Sequence, residues 1–518
     1  MFKKFLRIID IIKENIFLTK DDRAFINHNL EKWCDYKLDK ANGVILTDFY
    51  PLKESFIILS YFLNILAKNH ESKIVVFGVK NNKWKRVFIK LYKSINASEF
   101  VNITLQNNKI NKPANNLFVS LRSKDDLINL QYKGISIGID VYETYLRTLL
   151  EPTVNITDIR LLEILVKATN QVDFLLDYFQ RNKILACVLS HDCYIPNNIV
   201  AKIAYQNNIP VYLPNNRGIN TSKKQFDVHN YFINFRNLFS KMTEEKQVKA
   251  LKFAKERLDK RFSGEVGVDM PYSTKTAFHG KNTEDRVINK SNKPKVLILT
   301  HDFFDNPHAY SKFMFPDFYE WLKFLEKMSS EVKYDWYIKT HPDASCETID
   351  IIHKLFGQHT KIKIVPSNIS HFQLVEEGVN CAITAHGSIG HEYAMMGVKV
   401  INAAFNPHIA YNFNYHAKNI VDYEYAIKNL IKLDIRICKN EIYEFYYMRY
   451  FYTFSDSIVF NSYRKISEKL ITDNLSVFYL FLNEFNLEKH IETIRHINNF
   501  LTSTKAHYFE YLRRLPGK

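Results

Sequence analysis

Short apolar runs alternate with amphipathic stretches along the first two hundred residues of the chain. Segments such as 52–68 and 199–207 carry apolar residues at helical spacing. Between such segments lie runs rich in β-branched and aromatic residues, which predict strands at 43–49, 73–79, 101–105, 116–121, 135–141, 184–190 and 210–213. Alternation of this kind is typical of a parallel sheet with helices on both faces.

A second series of the same kind follows a polar segment. A charged, helix-forming stretch at 244–261 precedes residues 263–294, which are rich in Gly, Ser and Asn and predict an inter-domain linker. A helix is then predicted around 317–327, and strands are predicted at 296–300, 335–339, 361–365, 381–384 and 398–403. After about residue 422 the pattern is mostly helical and aromatic.

These patterns predict an α/β fold class with two doubly wound, Rossmann-like domains facing a cleft. A chain of 518 residues is too long for one ordinary hydrophobic core, which favours such a division. In doubly wound domains, ligands bind at the carboxyl ends of the strands. We assign the first domain, the linker, the second domain and a helical C-terminal region to residues 1–262, 263–294, 295–425 and 426–518.

The chain is basic, with 71 Lys and Arg against 55 Asp and Glu and a formal net charge of +16. This charge either forms an ordinary solvated surface or attracts an anionic partner, such as membrane lipid, a nucleotide sugar or an acidic glycan. No RNP, zinc-finger or helix-turn-helix pattern accompanies it. A nucleic-acid partner is therefore not expected.

Cysteine usage and hydropathy favour a cytoplasmic protein. The six Cys are scattered without metal-ligand spacing, and no signal peptide is evident, so we expect reduced thiols. The chain has no run of about 18 apolar residues, so no membrane span is expected. Residues 1–18 are amphipathic and fit either a helix on the inner face of the cytoplasmic membrane or, more commonly, a helix packed on the domain.

The first candidate for chemistry is the turn KTHPD at 339–343, which follows a predicted strand. Pro342 restrains His341 to an extended backbone, so the histidine side chain is directed out of the strand end. Beside Lys339, a histidine at this position can donate to a phosphate oxygen or protonate a leaving group. The alternative is an ordinary surface turn.

The second candidate is the segment TAHGSIGHE at 384–392, between a predicted strand and a predicted helix. Helix N-termini attract phosphate. Gly387 permits close backbone approach, and Ser388, next to His386, can cap the helix and donate to phosphate. Glu392 lies one turn further along the same face, where a carboxylate can accept ribose hydroxyls. The alternative is a plain N-cap with a solvated Glu.

Two further loops follow predicted strands of the second domain. The loop HDFFDNPH at 301–308 lacks the GxGxxG pattern of a simple dinucleotide site. Its residues Asp305 and His308 can reach the cleft. Asn406 follows another strand. We include His308 and Asn406 among the candidate donor-binding residues, with ordinary loop positions as the alternative.

Two carboxylates are prominent in the first domain. Asp192 follows the predicted strand at 184–190, and Glu143 lies in DVYETYLR, at 140–147, which ends the one predicted at 135–141. A carboxylate facing a cleft can deprotonate a hydroxyl or act as a nucleophile. Arg147 can bind a carboxylate in a bidentate manner. An Asp at a strand end is also a common N-cap, so Asp192, Glu143 and His341 remain candidate catalytic residues.

The HP turn and the segments DNPH…FPDFYEWL and HGSIGHEYAMMGVKVINA resemble capsule and surface-polysaccharide synthesis proteins. Within that group they resemble the bacterial transferases that use CMP-Kdo. DVYETYLR and SHDCYIPNNIVAKIAYQNNIPVY are similar to segments of the N-terminal domain of such proteins. Bacterial sialyltransferases are a remoter likeness: their paired-acid-Gly motif is not evident, and residues 386–388 read His-Gly-Ser where they have Ser-Ser or Ser-Thr.

The resemblance implies a GT-B fold whose N-terminal domain contacts the acceptor and whose C-terminal domain holds the nucleotide. It places Lys339 and His341, with residues 386–388, at the CMP phosphate and Glu392 at the ribose. Asp192 matches the catalytic aspartate, as base or nucleophile, and Glu143 its neighbouring carboxylate. No DXD-like metal motif is evident, so transfer without a metal, and without a cofactor beyond the CMP-sugar donor, is expected.

Three functions follow. The first is a glycosyltransferase that adds a CMP-activated 3-deoxy-ulosonic acid, Kdo or a related nonulosonic acid, to a surface polysaccharide such as capsule or lipopolysaccharide O-antigen, on a glycan or lipid-linked glycan acceptor. The second is a CDP-polyol phosphotransferase or a UDP-sugar glycosyltransferase of cell-surface polymer synthesis. The third is a non-catalytic glycan-binding or assembly protein.

Overall fold

The computed structural model describes residues 17–34, 40–78, 85–102, 111–215, 217–222, 230–270, 273–278, 285–310, 313–358, 361–454, 459–460 and 476–512. The amphipathic segment expected at 1–18 lies outside the described residues except for its last two positions. No helix within the described ranges combines the length and the apolar composition that a bilayer crossing requires.

The first sheet has six strands in the order β3-β2-β1-β6-β7-β8. Neighbours from β3 to β7 pair in parallel, and β8 runs antiparallel to β7. A two-stranded hairpin, β4 and β5, lies apart from it. The bounds of β1 to β8 are Val44–Asp48, Lys73–Phe77, Ala97–Val101, Gln131–Tyr132, Ile135–Ser136, Ile184–Val188, Val211–Asn215 and Gly218–Ser222.

Helices cover both faces of this sheet. Successive residues of β1 alternate between two cores: Ile45 packs in one, and Val44 and Leu46 pack in the other. Burial of both faces explains the continuous apolar runs of these strands. The bounds of α1 to α10 are Lys20–Lys32, Lys53–His70, Arg86–Ser94, Lys112–Ser120, Lys124–Ile128, Gly138–Leu149, Ile159–Arg181, Ile199–Gln206, Phe235–Ser240 and Glu244–Phe262.

The second sheet is wholly parallel, in the order β11-β10-β9-β12-β13-β14. The bounds of β9 to β14 are Lys295–Leu299, Asp335–Lys339, Ile362–Ile364, Cys381–Thr384, Lys399–Asn402 and Tyr415–His416. Those of α11 to α19 are Phe318–Glu331, Cys346–Phe356, His371–Glu376, Ile389–Met395, Ile420–Lys428, Lys439–Tyr447, Val477–Glu484, Leu487–Thr502 and Tyr508–Leu512. Two doubly wound sheets, parallel except for β8, confirm the predicted α/β class of GT-B type.

The last three helices pack on the first sheet rather than on the second. Phe478 stacks on Phe25 with ring centroids 4.1 Å apart, and Phe500 and Tyr508 belong to the same core as β1. The backbone of Thr221, in β8, donates to Ala506 at 2.8 Å. The helical segment after residue 425 therefore contacts both sheets. The domain boundaries given above stay predictions.

Two of the predicted strands are wrong. Residues 116–121 fall mostly in α4, where the Asn111 side chain caps the helix and Pro113 occupies its first turn. Residues 135–141 alternate apolar and polar positions, yet they form the short β5 and then enter α6. Gly138 permits this entry, because a Cβ there would lie 2.0 Å from the Leu127 carbonyl oxygen. The predicted strand at 101–105 is displaced to Ala97–Val101, and 103–105 lie outside the described residues.

Buried polar contacts join α6 to the second domain. The Tyr142 hydroxyl donates to Asp317 Oδ2 at 2.5 Å, and the Thr153 hydroxyl donates to the same oxygen at 2.6 Å. Asp317 is also the N-cap of α11, because its Oδ1 accepts the Glu320 backbone N–H at 2.8 Å. One buried carboxylate therefore begins a helix of one domain and anchors a helix of the other.

Asp317→Ala is expected to destabilise the protein by about 3 kcal/mol, because it removes an N-cap and leaves the buried Tyr142 hydroxyl and the half-buried Thr153 hydroxyl without this acceptor. Urea unfolding followed by circular dichroism measures the change. Thr243→Ala is the matched control, since Thr243 caps α10 at an exposed site and its loss should cost about 1 kcal/mol. Equal losses for the two variants would contradict the anchoring role of Asp317.

Candidate functional site

A cavity of about 450 Å³ lies at the carboxyl ends of β9, β10 and β12. The residues that follow these strands supply three of its histidines, His301, His341 and His386. Residues 273–278, from the predicted linker, close another side. We call this cavity the donor pocket. Its position at the strand ends agrees with ligand binding in doubly wound domains.

Lys339 is the most unusual group of the donor pocket. Its side chain is fully buried, and its ammonium nitrogen has no hydrogen-bond partner among the residues that the structure describes. Burial lowers the pKa of Lys339 to about 8. The hydroxyl of Thr300, which also lines the pocket, is buried without a partner as well. A buried cation without an anion is costly, so the arrangement fits a site that an anionic ligand completes.

His341 presents one defined edge to the donor pocket. Its Nδ1 accepts the backbone N–H of Asp343 at 3.0 Å, so a neutral ring carries its proton on Nε2. Solvent reaches the ring from the cavity, but the surrounding protein lowers the pKa of His341 by desolvation, and the nearby Asp343 carboxylate opposes this shift. Lys275 braces the turn by donating to the Pro342 carbonyl at 3.0 Å. At neutral pH the ring is therefore a hydrogen-bond donor through Nε2.

The segment after β12 enters α14 through a close turn. A Cβ at Gly387 would lie 3.0 Å from the Thr384 hydroxyl, so glycine fits the turn tightly. Ser388 occupies the N-cap position of α14, but its side chain makes no capping hydrogen bond, contrary to expectation, because its backbone is already helical with φ −57° and ψ −23°. His386, Gly387 and Ser388 all line the donor pocket.

Glu392 is buried and lines the donor pocket, so it is not the solvated side chain that was the alternative. Arg261 donates to its Oε1 from Nε at 2.7 Å and from Nη2 at 2.5 Å. Burial alone would raise the pKa of Glu392, but the Arg261 charge outweighs it, so the pKa is lowered. The carboxylate is therefore ionised and held in place as a hydrogen-bond acceptor.

Aromatic and imidazole rings form one wall of the donor pocket. His301 stacks on Phe318 with ring centroids 5.0 Å apart, and its ring lies 4.4 Å from that of His386. Tyr310 meets His386 edge-on at 5.0 Å. Burial lowers the pKa of His301 to about 4, so the His301 ring is uncharged at neutral pH. Flat rings of this kind suit stacking with a base or a sugar.

Glu143 lies outside the donor pocket. It belongs to α6 rather than to a strand end, and its buried Oε1 lies 3.1 Å from His308 Nδ1. The His308 ring, 9% exposed, is enclosed by this contact. Arg147 lies one turn further along α6, donates to the Tyr194 hydroxyl at 3.2 Å and approaches Asp305 at 3.9 Å. Glu143, His308 and Arg147 thus lie at the junction of the two domains, beside the pocket wall that Asp305 supplies.

Asp192 follows β6 and is half-buried, and it is not part of the donor pocket lining. The adjacent Cys193 interacts with the side chain of Asn306, in the loop after β9. The structure therefore places the Asp192 loop next to the loop that borders the pocket. Asp192 thus lies beside the donor pocket without lining it.

A polar network missed by the sequence analysis surrounds this loop. Asp48, at the end of β1, accepts the Ser190 backbone N–H at 2.9 Å and the Asn197 amide at 3.2 Å. His191 Nδ1 lies 2.7 Å from the Ser190 hydroxyl, and its Nε2 lies 3.1 Å from the Asn197 amide. Burial raises the pKa of Asp48 to about 6. The sequence signal that could have revealed this network is the position of Asp48 at the end of a predicted strand.

Asn406 lies behind the donor pocket. It is fully buried, and its side-chain oxygen accepts the His408 backbone N–H at 2.9 Å and lies 3.1 Å from His408 Nδ1. His408, in turn, lines the pocket and would collide with any Cβ at Gly390, which would lie 2.5 Å from its ring. Asn406 therefore positions a pocket residue and does not itself reach the cavity.

The structure brings together most, but not all, of the sequence-predicted residues of the second domain. One group lines the donor pocket, namely Lys339, His341, Pro342, His386, Gly387, Ser388 and Glu392. A second group lies outside it, namely Glu143, Arg147, Asp192, His308 and Asn406. The pocket also contains residues that sequence reasoning missed, including Arg261, Thr300, His301 and Arg449.

No protein-family model matches the sequence, and no curated protein matches it significantly. Among solved structures, KpsC of Thermosulfurimonas dismutans, a β-Kdo 2,4 transferase, is 12% identical over 51% of this chain and 79% of its own, with a TM-score of 0.30. UDP-GlcNAc 2-epimerase of Neisseria meningitidis, bound to UDP-GlcNAc, is 11% identical over 83% and 100%, with a TM-score of 0.23. The wall teichoic acid polymerase TagF is 11% identical over 91% and 97%, with a TM-score of 0.21. Similarities this low leave the function to be argued from the site.

Proposed function

We propose that this chain is a glycosyltransferase of cell-surface polymer synthesis and that the donor pocket binds a nucleotide-activated sugar. The observation that carries the proposal is the fully buried, unpartnered ammonium of Lys339 in a cavity at the strand ends. A phosphate in the pocket would give this cation its missing partner and raise its pKa again. Glu392, ionised and fixed by Arg261, supplies an acceptor for ribose hydroxyls.

The chemistry assigned to these residues is departure of a nucleotide phosphate. The bond between the anomeric carbon and the phosphate oxygen breaks, and its electron pair stays on the phosphate. Lys339 neutralises the added charge, and His341 donates to the leaving oxygen through Nε2. Because His341 is neutral at pH 7, it acts as a hydrogen-bond donor from the start of the reaction.

The acceptor hydroxyl forms the new bond to the anomeric carbon from the side of the first domain. In an inverting reaction Asp192 removes the hydroxyl proton. In a retaining reaction Asp192 attacks the anomeric carbon first, and the acceptor hydroxyl then displaces it while its proton passes to the released nucleotide phosphate. Both routes need a carboxylate beside the loop at 302–308, which is where the Asp192 loop lies.

Within this proposal, the donor is a CMP-activated 3-deoxy-ulosonic acid, either Kdo or a related nonulosonic acid, and the acceptor is a surface glycan or lipid-linked glycan. Support comes from the pocket-lining segment HGSIGHE, whose sequence resembles that of CMP-Kdo-dependent transferases. A lipid-linked acceptor would bring the enzyme to the inner face of the cytoplasmic membrane. A CDP-polyol or UDP-sugar donor is the alternative that the nucleotide test below separates.

Thermal unfolding with a panel of nucleotides tests the donor. CMP is expected to raise the unfolding midpoint, because a ligand at 100 times its Kd stabilises the native state by about 2.7 kcal/mol. CDP and UDP at the same concentration are expected to have smaller effects. The His341→Asn variant should keep its fold and show a reduced CMP effect, because it removes a phosphate donor. Stabilisation by UDP but not by CMP would contradict a CMP donor, and no effect of any nucleotide would contradict the proposed function.

A further inference from the structure

A second cavity, of about 260 Å³, adjoins the donor pocket. Arg217, in the turn between β7 and β8, lines it from the first domain. Arg449, which follows α16, lines both this cavity and the donor pocket. The cavity therefore opens at the carboxyl end of β7 and shares a wall with the nucleotide site.

The guanidinium of Arg217 is half-buried, and its centre lies 5.0 Å from the Phe454 ring centroid. Within the part of the chain that the structure describes, no carboxylate pairs with it, and none lines the cavity. Burial and the neighbouring positive charge of Arg449 lower the pKa of Arg217. Two guanidinium groups thus face one small cavity that holds no acid.

Other arginines nearby are neutralised within the protein. Arg236 pairs with Glu441 at 3.0 Å, Arg257 with Asp269 at 2.9 Å, and Arg261 with Glu392 at 2.5 Å. Arg217 differs from these three in having no carboxylate partner among the described residues, although it is half-buried. Desolvating a cation without a partner is unfavourable, and a bound anion removes that penalty.

We propose that this cavity is an oxyanion subsite in which Arg217 and Arg449 bind a carboxylate or phosphate group of the acceptor. Assigning the group to the acceptor rests on the proposed function, since the cavity lies at the first sheet and next to the donor pocket. Planar guanidinium groups match both oxyanions in a bidentate manner. The volume corresponds to roughly nine water molecules at about 30 Å³ each, enough for a phosphate or one acidic sugar unit.

The acceptor chemistry that follows is specific. Transfer would favour acceptors whose terminal unit carries a negative charge, such as an acidic sugar or a phosphate of a lipid-linked glycan. A neutral acceptor of the same size would leave the Arg217 guanidinium desolvated without an anion. The subsite would therefore select against neutral glycans as well as for acidic ones.

The test measures binding of defined probes by ligand-observed saturation-transfer NMR, without donor and without transfer. The probes are methyl phosphate, methyl glucuronoside and, as the neutral control, methyl glucoside. The protein carries Lys339→Met throughout, so that the donor pocket does not bind the anions. Arg217→Gln removes the charge, and Arg217→Lys keeps it while losing the bidentate fork. Arg236→Gln is the matched control, because Arg236 also lies over an aromatic ring, that of Tyr411 at 5.8 Å.

Arg217→Gln is expected to weaken binding of at least one anionic probe by about tenfold, Arg217→Lys by about threefold, and Arg236→Gln not measurably. If Arg217→Gln weakens the binding of methyl phosphate alone, the subsite binds a phosphate. If it weakens the binding of methyl glucuronoside alone, the subsite binds a carboxylate. Binding of both anions that is unchanged by Arg217→Gln, or no stronger than that of methyl glucoside in the parent, overturns the subsite. Because no nucleotide is present, failure of the proposed donor would leave these results unaffected.

Discussion

Lys339→Met is expected to make the ligand-free protein more stable while nearly abolishing nucleotide binding. Burial lowers the pKa of Lys339 from 10.5 to about 8, and at 1.36 kcal/mol per pKa unit the charged side chain destabilises the fold by about 3 kcal/mol at neutral pH. Met fills a similar volume without that penalty. Loss of the positive charge that we propose binds the ligand phosphate should weaken CMP binding by about 100-fold. Urea unfolding and calorimetric titration with CMP measure the two effects.

The gain in stability has a defined pH dependence. Between about pH 8 and pH 10.5 the unfolded lysine binds more proton than the native one, so wild-type stability rises with pH over this window. The advantage of Lys339→Met is therefore complete below about pH 8 and shrinks as the pH approaches 10.5. An advantage that stays constant from pH 7 to pH 10 would contradict the unpartnered cation.

Lys202→Met is the matched control. Lys202 is also a buried lysine, but its ammonium pairs with Asp140 Oδ2 at 2.6 Å and donates to the Ser136 carbonyl at 2.7 Å. Its removal leaves a buried carboxylate unpaired, which should destabilise the protein by about 3–5 kcal/mol. The two substitutions are chemically identical, so opposite signs of the stability change would isolate the effect of the missing partner at Lys339.

Asp192→Asn is expected to lower kcat for transfer by about 1,000-fold, because a positioned base or nucleophile contributes factors of that order. CMP binding should change little, since Asp192 does not line the donor pocket. Product formation with a panel of CMP-sugars and a lipid-linked acceptor, followed by mass spectrometry, gives the rate. Anomeric NMR of the product then distinguishes base from nucleophile.

Two variants accompany Asp192→Asn. Asp305→Asn removes an exposed carboxylate on the pocket wall, and its effect should stay within about tenfold. Asp48→Asn disturbs the network that holds Ser190 and His191. If Asp192→Asn keeps near-normal activity while Asp48→Asn loses it, the proton is removed within that network. If neither Asp192→Asn nor His341→Asn alters polymer production, a non-catalytic glycan-binding protein is favoured.

The central strands could be predicted from the sequence because of the way they are buried. Strands such as β1, β9 and β12 are buried on both faces, so each is a short continuous apolar run bounded by polar residues. In the segment at 135–141 apolar and polar residues alternate, a pattern that is found both in strands and in turns at the surface. Its helical outcome depends on Gly138 fitting against the carbonyl of Leu127, a tertiary contact that no local pattern records.

The candidate site was predictable where its residues follow strands of one domain. Lys339 and His386 lie in the pocket because parallel strands end at the same edge. Arg261 was missed because it lies in α10, 131 residues before the Glu392 that it contacts. The unpartnered state of Lys339 is likewise a property of its surroundings, and Arg217 gains significance only from the absence of acid near it in the described structure.

Attachment of the final helices to the first sheet affects how the chain folds during synthesis. Side chains from 477–512, including Phe478 and Phe500, complete the core that contains Ile45 and Phe56. When the ribosome has translated the first 262 residues, one face of that sheet still lacks part of its apolar cover. The second domain, whose cores draw on residues 288–433, can close earlier. The first core is therefore completed only after residues 477–512 have been synthesised, later than the cores of the second domain.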